Sequence, residues 1–200
     1  MSATQTENTA VAWNLDTRPA PNTRQFYPDA SIVLIGSRGA GKRSLGFIGA
    51  THLGRRLITE DHYFQEVTGT TRGAYIQRHG SQEFYRKTLE VLRRMLDENR
   101  TGCLIECGMA SLSSPAQKTL YEYTKTNPVV YITRESERVR FLLRLGDEEA
   151  ARLKVADLAH RNCSNFEYYK CVKFSLSILQ ISGISLSERH PSTQLLIFRH

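Results

Sequence analysis

The chain has 200 residues, of which 40% are hydrophobic and 24% charged, and its formal net charge is +7. This composition predicts one globular domain with tails, and no apolar run approaches the roughly 20 residues of a membrane-spanning helix. Acidic residues are interspersed with the basic ones, and no helix-turn-helix, zinc-finger or basic–aromatic pattern occurs. The charge therefore indicates a solvated basic surface and argues against direct nucleic-acid binding.

The first 29 residues are polar and lack the charged-then-apolar pattern of a secretion signal. We expect a disordered N-terminal arm over residues 1–29 and an intracellular protein, located in the cytoplasm or nucleus. A reducing compartment disfavours disulfides, and the cysteine spacing does not match a metal site, so no metal ligands are assigned. The cysteines are Cys103, Cys107, Cys163 and Cys171, the first two predicted to be buried on one strand face.

A glycine-rich phosphate loop follows the first apolar run, at residues 31–35, and leads into a helix-compatible stretch. Its residues are Gly36, Ser37, Arg38, Gly39, Ala40, Gly41 and Lys42. The glycines let successive backbone N–H groups turn inward, and Lys42 can reach the outer phosphates. The strand–loop–helix context predicts a phosphate site, with a ligand-free glycine turn as the alternative.

The residue after this loop is the wrong one for Mg²⁺. A Mg²⁺-nucleotide site carries Ser or Thr here, because the hydroxyl binds the metal, whereas this chain has Arg43. Ser44 cannot replace that hydroxyl, since one residue along a helix turns the side chain by about 100°. The sequence predicts an anion site from Gly36 to Ser44 that can take ATP or ADP, requires no cofactor and disfavours Mg²⁺.

The remaining elements alternate between strands and helices. Strands are predicted at 56–59, 102–107 and 128–133. Helices are predicted at 44–53, 62–79, 82–98, 114–127 and 135–145. Gly54 should end the first helix, Gly69 and Gly73 should break the second, Gly80 should open the third, and Ser114 should cap the fourth. This order implies an α/β fold, a parallel sheet with helices on both faces. Ligands should bind beyond the carboxyl ends of the strands, at residues 36–42, 60–61, 108–110 and 134–135.

These residues resemble the shikimate kinase family, within the nucleoside-monophosphate-kinase branch of P-loop proteins. The resemblance covers residues 31–169 and rests on the phosphate loop, Thr59-Glu60-Asp61, Gly80 with Phe84-Tyr85, and Cys107-Gly108. Residues 80–84 and 162–169 are more similar to the kinase-like modules of the fungal AROM polypeptides and the quinate repressors. The resemblance implies a three-layer P-loop kinase fold over residues 30–172.

Residues 173–200 form an extension beyond that resemblance. It is interpreted as the start of a truncated dehydroquinase-like module, because such a module follows in the AROM and repressor families. Within it, residues 174–186 predict an apolar helix, and residues 193–198 predict a strand without an evident partner.

The resemblance also implies that the scaffold is kept and the catalytic groups are lost. Of the family's two aspartates, the one that helps with the metal is Thr59 here, while the acceptor-binding one is kept as Asp61. The family's acceptor-binding arginine falls on Tyr85, with Arg86 one step further round the helix. Since Arg43, Thr59 and Tyr85 are all degenerate, no catalytic residue is assigned.

The acceptor side of the site changes as well. The family's Gly-Gly-Gly turn becomes Gly108-Met109-Ala110, and its arginine-bearing lid becomes the acidic stretch 146–149. The predicted substrate-like cleft comprises Asp61, Tyr85, Arg86, Gly108 and Met109. Structural roles stay open for three of these: Asp61 as a helix cap, Tyr85 as a packing residue, and Met109 as the filler of an apolar gap.

Three functions follow from these residues. The favoured one is a non-catalytic regulatory domain of a quinate-pathway transcriptional repressor. It would bind a partner activator and a phosphate, a nucleotide or a small pathway metabolite such as quinate or shikimate, with no direct nucleic-acid or membrane contact. The alternatives are an active ATP-dependent kinase of the shikimate 3-hydroxyl and a nucleotide-binding module without an acceptor site.

Overall fold

The computed structural model describes residues 26–108, 113–170 and 195–198, which form a six-stranded sheet flanked by helices. The strands are β1 (Ile32–Ile35), β2 (Arg56–Thr59), β3 (Cys103–Glu106), β4 (Val129–Arg134), β5 (Phe166–Lys170) and β6 (Leu195–Phe198). Their spatial order is β2-β3-β1-β4-β5-β6. The first five pair in parallel, and β6 pairs antiparallel with β5. The carboxyl end of β1 therefore lies between those of β3 and β4.

The helices that connect these strands cover both faces of the sheet. They are α1 (Lys42–Leu53), α2 (Glu60–Thr68), α3 (Arg72–Glu98), α4 (Ser114–Tyr123), α5 (Ser136–Leu143) and α6 (Asp147–Asn162). Val33 and Ile35 of β1 pack with side chains of α2, α3 and α4, whereas Leu34 packs with Ala50 of α1 and Ile132 of β4. Alternate strand residues are thus buried on opposite faces, which confirms the predicted three-layer α/β architecture.

Three of the four predicted glycine signals act as expected, and one does not. Gly69 ends α2 with φ 70°. Gly54 ends α1 with φ 61°, and its N–H bonds to the carbonyls of the last turn. Gly80, with φ 77° and ψ 168°, kinks α3 where a helix start was predicted. The predicted break at Gly73 is wrong, because Gly73 lies in the first turn of α3 after the Thr71 cap. The predicted cap at Ser114 is also wrong, because Ser113 is the N-cap and Ser114 begins α4.

Strand β5, which pairs with β4 and adds a fifth parallel strand, was not predicted from the sequence. The strand predicted at 193–198 is present as Leu195–Phe198, and β5 is the partner that was not recognised. The predictions for residues 1–25, for Met109 and Ala110, for Cys171 and for the helix at 174–186 fall outside the described residues. Within the described part of the chain, no helix is long and apolar enough to cross a membrane.

The thiols of Cys103, Cys107 and Cys163 are free and buried, as predicted for the first two. Cys103 and Cys107 both join the core between the sheet and α3. Burial raises the pKa of the Cys107 thiol well above its ordinary value, helped by Glu60 and Glu106. These cysteines therefore act as small apolar core residues.

A buried histidine joins α6 to the sheet. The ring of His160 is 1% exposed and stacks on Tyr131 of β4, with ring centroids 5.4 Å apart and planes 9° apart. Desolvation lowers its pKa from 6.5 to about 4, with the charge of Lys42 as the second cause. His160 is consequently held neutral in the folded chain, while the unfolded chain protonates it at mildly acidic pH.

His160 should make the fold acid-sensitive between about pH 6.5 and 4. Because its folded pKa lies below the unfolded one, its stabilising contribution is complete above pH 6.5 and is lost as the pH falls towards 4. The loss should reach at most about 3 kcal/mol. Urea unfolding at a series of pH values should give a shallower decline for His160→Gln than for wild type. The control His52→Gln, on the exposed surface of α1, should keep the wild-type slope, and parallel curves for wild type and His160→Gln would contradict the assignment.

Candidate functional site

The phosphate loop is formed by the predicted residues and depends on the strand beside it. Gly36 has φ 144°, and a Cβ added there would lie 2.3 Å from the backbone oxygen of Ile132 in β4. Gly41, with φ 97°, is the N-cap of α1 and offers no side-chain cap. The first turn of α1 therefore follows the loop directly and has no side-chain cap, as an anion site requires.

Lys42 lies inside this loop. It is 7% exposed, and its Nζ donates to the backbone oxygens of Gly36 at 2.7 Å and Ser37 at 3.1 Å. Burial lowers its pKa, and the carboxylate of Glu106 is the largest opposing influence. Burial disfavours the charged form of Lys42, and an anion in the loop would favour it again, so Lys42 is positioned to bind an anion.

The next two residues, Arg43 and Ser44, lie in the first turn of α1 and are exposed. The guanidinium of Arg43 bridges two carboxylates: Nη2 lies 3.4 Å from Asp61 Oδ2, and Nε lies 3.6 Å from Glu106 Oε2. Asp61 is in the first turn of α2, and Glu106 ends β3. Arg43 thus links the start of α1 to the first turn of α2 and to the end of β3.

A second arginine, Arg72 at the start of α3, completes this network. Its Nη2 lies 2.8 Å from Oε1 of Glu60, and its Nε lies 3.0 Å from Oδ1 of Asp61. The guanidinium also stacks over the Phe64 ring, 5.2 Å from its centroid. Glu60 is only 2% exposed, and its other oxygen accepts from Gly108 N at 2.6 Å. Burying a carboxylate without partners costs folding free energy, so Glu60 depends on the Arg72 guanidinium and on the N–H of Gly108.

Three members of this site were not predicted from the sequence: Glu60, Arg72 and Glu106. Glu106 had a usable signal, since it is an acidic residue at the end of the apolar strand that precedes Cys107-Gly108. Glu60 shared the strand end with Asp61 but was passed over. Arg72 had no local signal, because its role depends on how α3 packs against α2.

The structure places the other cleft residues as follows. Thr59 is the N-cap of α2 and accepts from His62 N at 3.4 Å, so the cap role left open for Asp61 belongs to Thr59. Tyr85 is 63% exposed beside the Phe84 ring. Arg86 pairs with Glu83 at 2.6 Å and with Glu90 at 3.5 Å on its own helix. The arginine that contacts Asp61 from α3 is Arg72 and not Arg86.

These donors do not fit a Mg²⁺ ion. The position that should supply a hydroxyl supplies a guanidinium, and Thr59 uses its hydroxyl as a helix cap. The two carboxylates nearest the loop, Asp61 and Glu106, are bridged by Arg43. A cation entering between them would have to displace the charge of Arg43, so the arrangement opposes a metal there.

A cavity of about 350 Å³ adjoins the loop on the α6 side. It reaches from Ser37 and Ala40 of the loop to the end of β4 and to the side chains of Lys154, Asp157 and Arg161. The Tyr131 hydroxyl donates to Asp157, and Arg161 pairs with Asp157 and Glu167 at 2.8 Å. A larger groove, of about 630 Å³, lies between α3 and α4 and is not lined by the phosphate loop.

Comparisons with known proteins agree with the fold. The family model for shikimate kinase matches residues 38–174. The shikimate kinase of Acinetobacter baumannii, solved in complex with shikimate, has a TM-score of 0.56 and 23% identity, covering 76% of this chain and 92% of that one. At that identity, the likeness establishes the fold alone.

Sequence relatives include regulators and a multifunctional enzyme. The quinate repressor protein of Emericella nidulans is 39% identical over 179 residues, which cover 88% of this chain and 19% of that protein. The quinate repressor protein of Talaromyces stipitatus is 28% identical over 152 residues, covering 74% and 18%. The pentafunctional AROM polypeptide of Mycosarcoma maydis is 34% identical over 142 residues, covering 69% and 8%. The chain thus spans about a fifth of the repressors it matches.

Replacing Gly36 should destroy the loop. In Gly36→Ala, the added Cβ collides with a backbone oxygen and the residue keeps a φ that disfavours side chains. We expect a loss of at least about 1 kcal/mol of unfolding free energy together with loss of sulfate and ADP binding. In the control Gly73→Ala, the Cβ meets nothing within 4 Å inside a helix, so stability should be unchanged or rise. Chemical denaturation and calorimetry decide, and a Gly36→Ala chain that is stable and still binds would contradict the loop geometry.

Proposed function

Because this chain belongs to the shikimate kinase family, we propose that it is a non-catalytic member, a regulatory domain of a quinate-pathway transcriptional repressor. In this role it binds an anion at the phosphate loop and contacts an activator protein. The bridge from Arg43 to Asp61 and Glu106 carries the proposal. It places a cationic side chain of the protein beside the two carboxylates nearest the loop, where a metal ion would otherwise need them.

Phosphoryl transfer is almost entirely a matter of positioning and of neutralising the charge that develops on the phosphoryl group. A metal and an arginine clamp are the usual means, each worth several kcal/mol of barrier. In this chain the metal hydroxyl is replaced by Arg43, and the metal-side aspartate is replaced by Thr59. Tyr85 takes the place of the family's acceptor arginine, and Arg86 is engaged by Glu83 and Glu90. These replacements together should leave no useful rate.

The regulatory role is supported by the similarity to two quinate repressor proteins. A domain of a repressor needs a surface for a partner and a cleft that reports a ligand, and it needs no chemical turnover. The net charge of +7 favours an acidic partner surface, such as that of a transcriptional activator. The role places the protein in the cytoplasm or nucleus and involves no direct contact with DNA.

An active ATP-dependent shikimate kinase is the alternative function. It is favoured by the complete loop with a buried Lys42 and by the similarity to an AROM polypeptide. The regulatory function and the kinase differ in one measurable property, the transfer of phosphate from ATP to shikimate.

We expect wild-type protein with ATP, Mg²⁺ and shikimate to show no turnover above that of Lys42→Ala. A coupled ADP-release assay measures this, with the Acinetobacter baumannii shikimate kinase as the positive control. Restoring Arg43→Thr, Thr59→Asp and Tyr85→Arg together should raise activity by more than the sum of the single changes, since such groups act as a unit. Wild-type turnover that requires Mg²⁺ and disappears in Lys42→Ala would establish the kinase instead.

Partner binding should respond to a pathway metabolite. Quinate or shikimate in the cleft can change the affinity for the activator only if it binds the two states of the domain differently, and the coupling must be reciprocal. A pull-down of the cognate activator, with and without each metabolite, should show at least a fivefold change in the bound fraction. The cleft variant Asp61→Asn should reduce this effect, and the exposed control Asp97→Asn, far from the loop, should not. If neither metabolite changed the fraction of activator retained, or if the domain bound DNA selectively in a gel shift, this role would be refuted.

A further inference from the structure

Lys170 is a second lysine at the phosphate loop that the sequence analysis did not recognise. It is the last residue of β5, where it is in register with Arg134 at the end of β4. The strand therefore delivers Lys170 to the carboxyl edge of the sheet, where the loop also lies. Its Nζ is 3.1 Å from the position that a Cβ on Gly41 would take, and its Cδ and Cε lie 3.6 and 4.0 Å from the same point. The side chain thus lies along the N-cap residue of α1.

This is an unfavourable place for a cation unless an anion accompanies it. The N-terminus of a helix carries positive potential, which attracts acidic groups and repels ammonium groups. The first turn of α1 has no acidic residue and no side-chain cap, and it contains Lys42 and Arg43. Lys170 therefore adds a third cation to a region that is already positive.

The three cations differ in how their charges are compensated. Arg43 is paired with Asp61 and Glu106, and Lys42 is bonded to two loop carbonyls. Among the described residues, the salt bridges of the chain do not include Lys170. Within the part of the chain that the structure describes, the charge of Lys170 beside Gly41 is therefore not matched by a carboxylate, so this lysine can bind an anion.

We propose that Lys42 and Lys170 clamp a pyrophosphate group between them, so that the loop binds pyrophosphate or a nucleoside diphosphate without a metal ion. The Nζ of Lys42 is held at the Gly36–Ser37 end of the loop, whereas Lys170 lies at the Gly41 end. Two linked phosphates can engage both ends at once, and a single phosphate engages one. This inference rests on the proposed anion-binding function and adds to it the ligand class and a residue that selects it.

Lys170 should therefore govern the preference for diphosphate over monophosphate. The test is titration calorimetry of the 200-residue chain in EDTA, with sodium pyrophosphate, ADP and inorganic phosphate as separate ligands. Wild type should bind pyrophosphate and ADP more tightly than phosphate. Lys170→Ala should weaken pyrophosphate and ADP binding about tenfold or more, as expected for one charge-assisted contact. Phosphate affinity should change less than threefold, which also shows that the loop remains folded.

Two further variants separate charge from structure. Lys170→Arg keeps the positive charge and should retain most of the pyrophosphate affinity. Lys118→Ala removes an exposed lysine of α4, in the groove remote from the loop, and should bind as wild type does. If Lys170→Ala binds pyrophosphate as tightly as wild type, the clamp is refuted while anion binding at the loop stands. If wild type binds none of the three ligands, the clamp and the proposed anion-binding function both fail.

Discussion

Parallel pairing of β1 with β3 on one side and β4 on the other is the constraint on which the rest of the structure depends. Because parallel strands end at the same edge, the phosphate loop, Glu106 and the segment after β4 are brought together by backbone hydrogen bonds alone. The approach of Gly36 to Ile132 follows from that pairing and leaves no room for a side chain. The loop conformation is therefore a property of the sheet as much as of its own glycines.

The same convergence creates an electrostatic problem. Glu60, Asp61 and Glu106 all reach the edge beside the loop, and three carboxylates in a partly desolvated region repel one another. Arg72 of α3 and Arg43 of α1 offset this repulsion, because each guanidinium contacts two of the carboxylates. Asp61 is shared between them, so the two arginines couple the positions of α1, α2 and α3. The charge network is thus part of what holds the helices around the loop.

Local sequence signals predicted most helices and strands, but they did not predict features that depend on tertiary contacts. The loop glycines, Gly54 and Gly80 each require a backbone conformation that few other residues adopt, so their effects could be read from the sequence. Gly73 misled because a glycine can also sit inside a helix that packing stabilises. Strand β5 was not recognised, since its mixture of aromatic and charged residues (Phe166–Lys170) lacks a continuous apolar run.

The site was predicted less completely than the fold for the same reason. The loop and Asp61 follow strands directly, and their positions depend only on the direction of those strands. Arg72 acts through the packing of α3 over Phe64, and Lys170 acts through the register of an unrecognised strand. Neither relationship exists within a short window of sequence. Glu60 and Glu106 differ from these two, because they lie at strand ends and were recognisable from the sequence.

Two departures from the family pattern beside the loop, Arg43 and Thr59, change the local charge in the same direction. Relative to the family pattern, Arg43 in place of Thr or Ser adds one positive charge, and Thr59 in place of Asp removes one negative charge. The sum is two units, which equals the charge of a Mg²⁺ ion. Thr59 still caps α2, as Asp would, because both side chains accept from the helix N–H groups. The added positive charge thus equals that of a Mg²⁺ ion, while the helix cap is kept. The two substitutions therefore change the charge beside the loop without disturbing the start of α2.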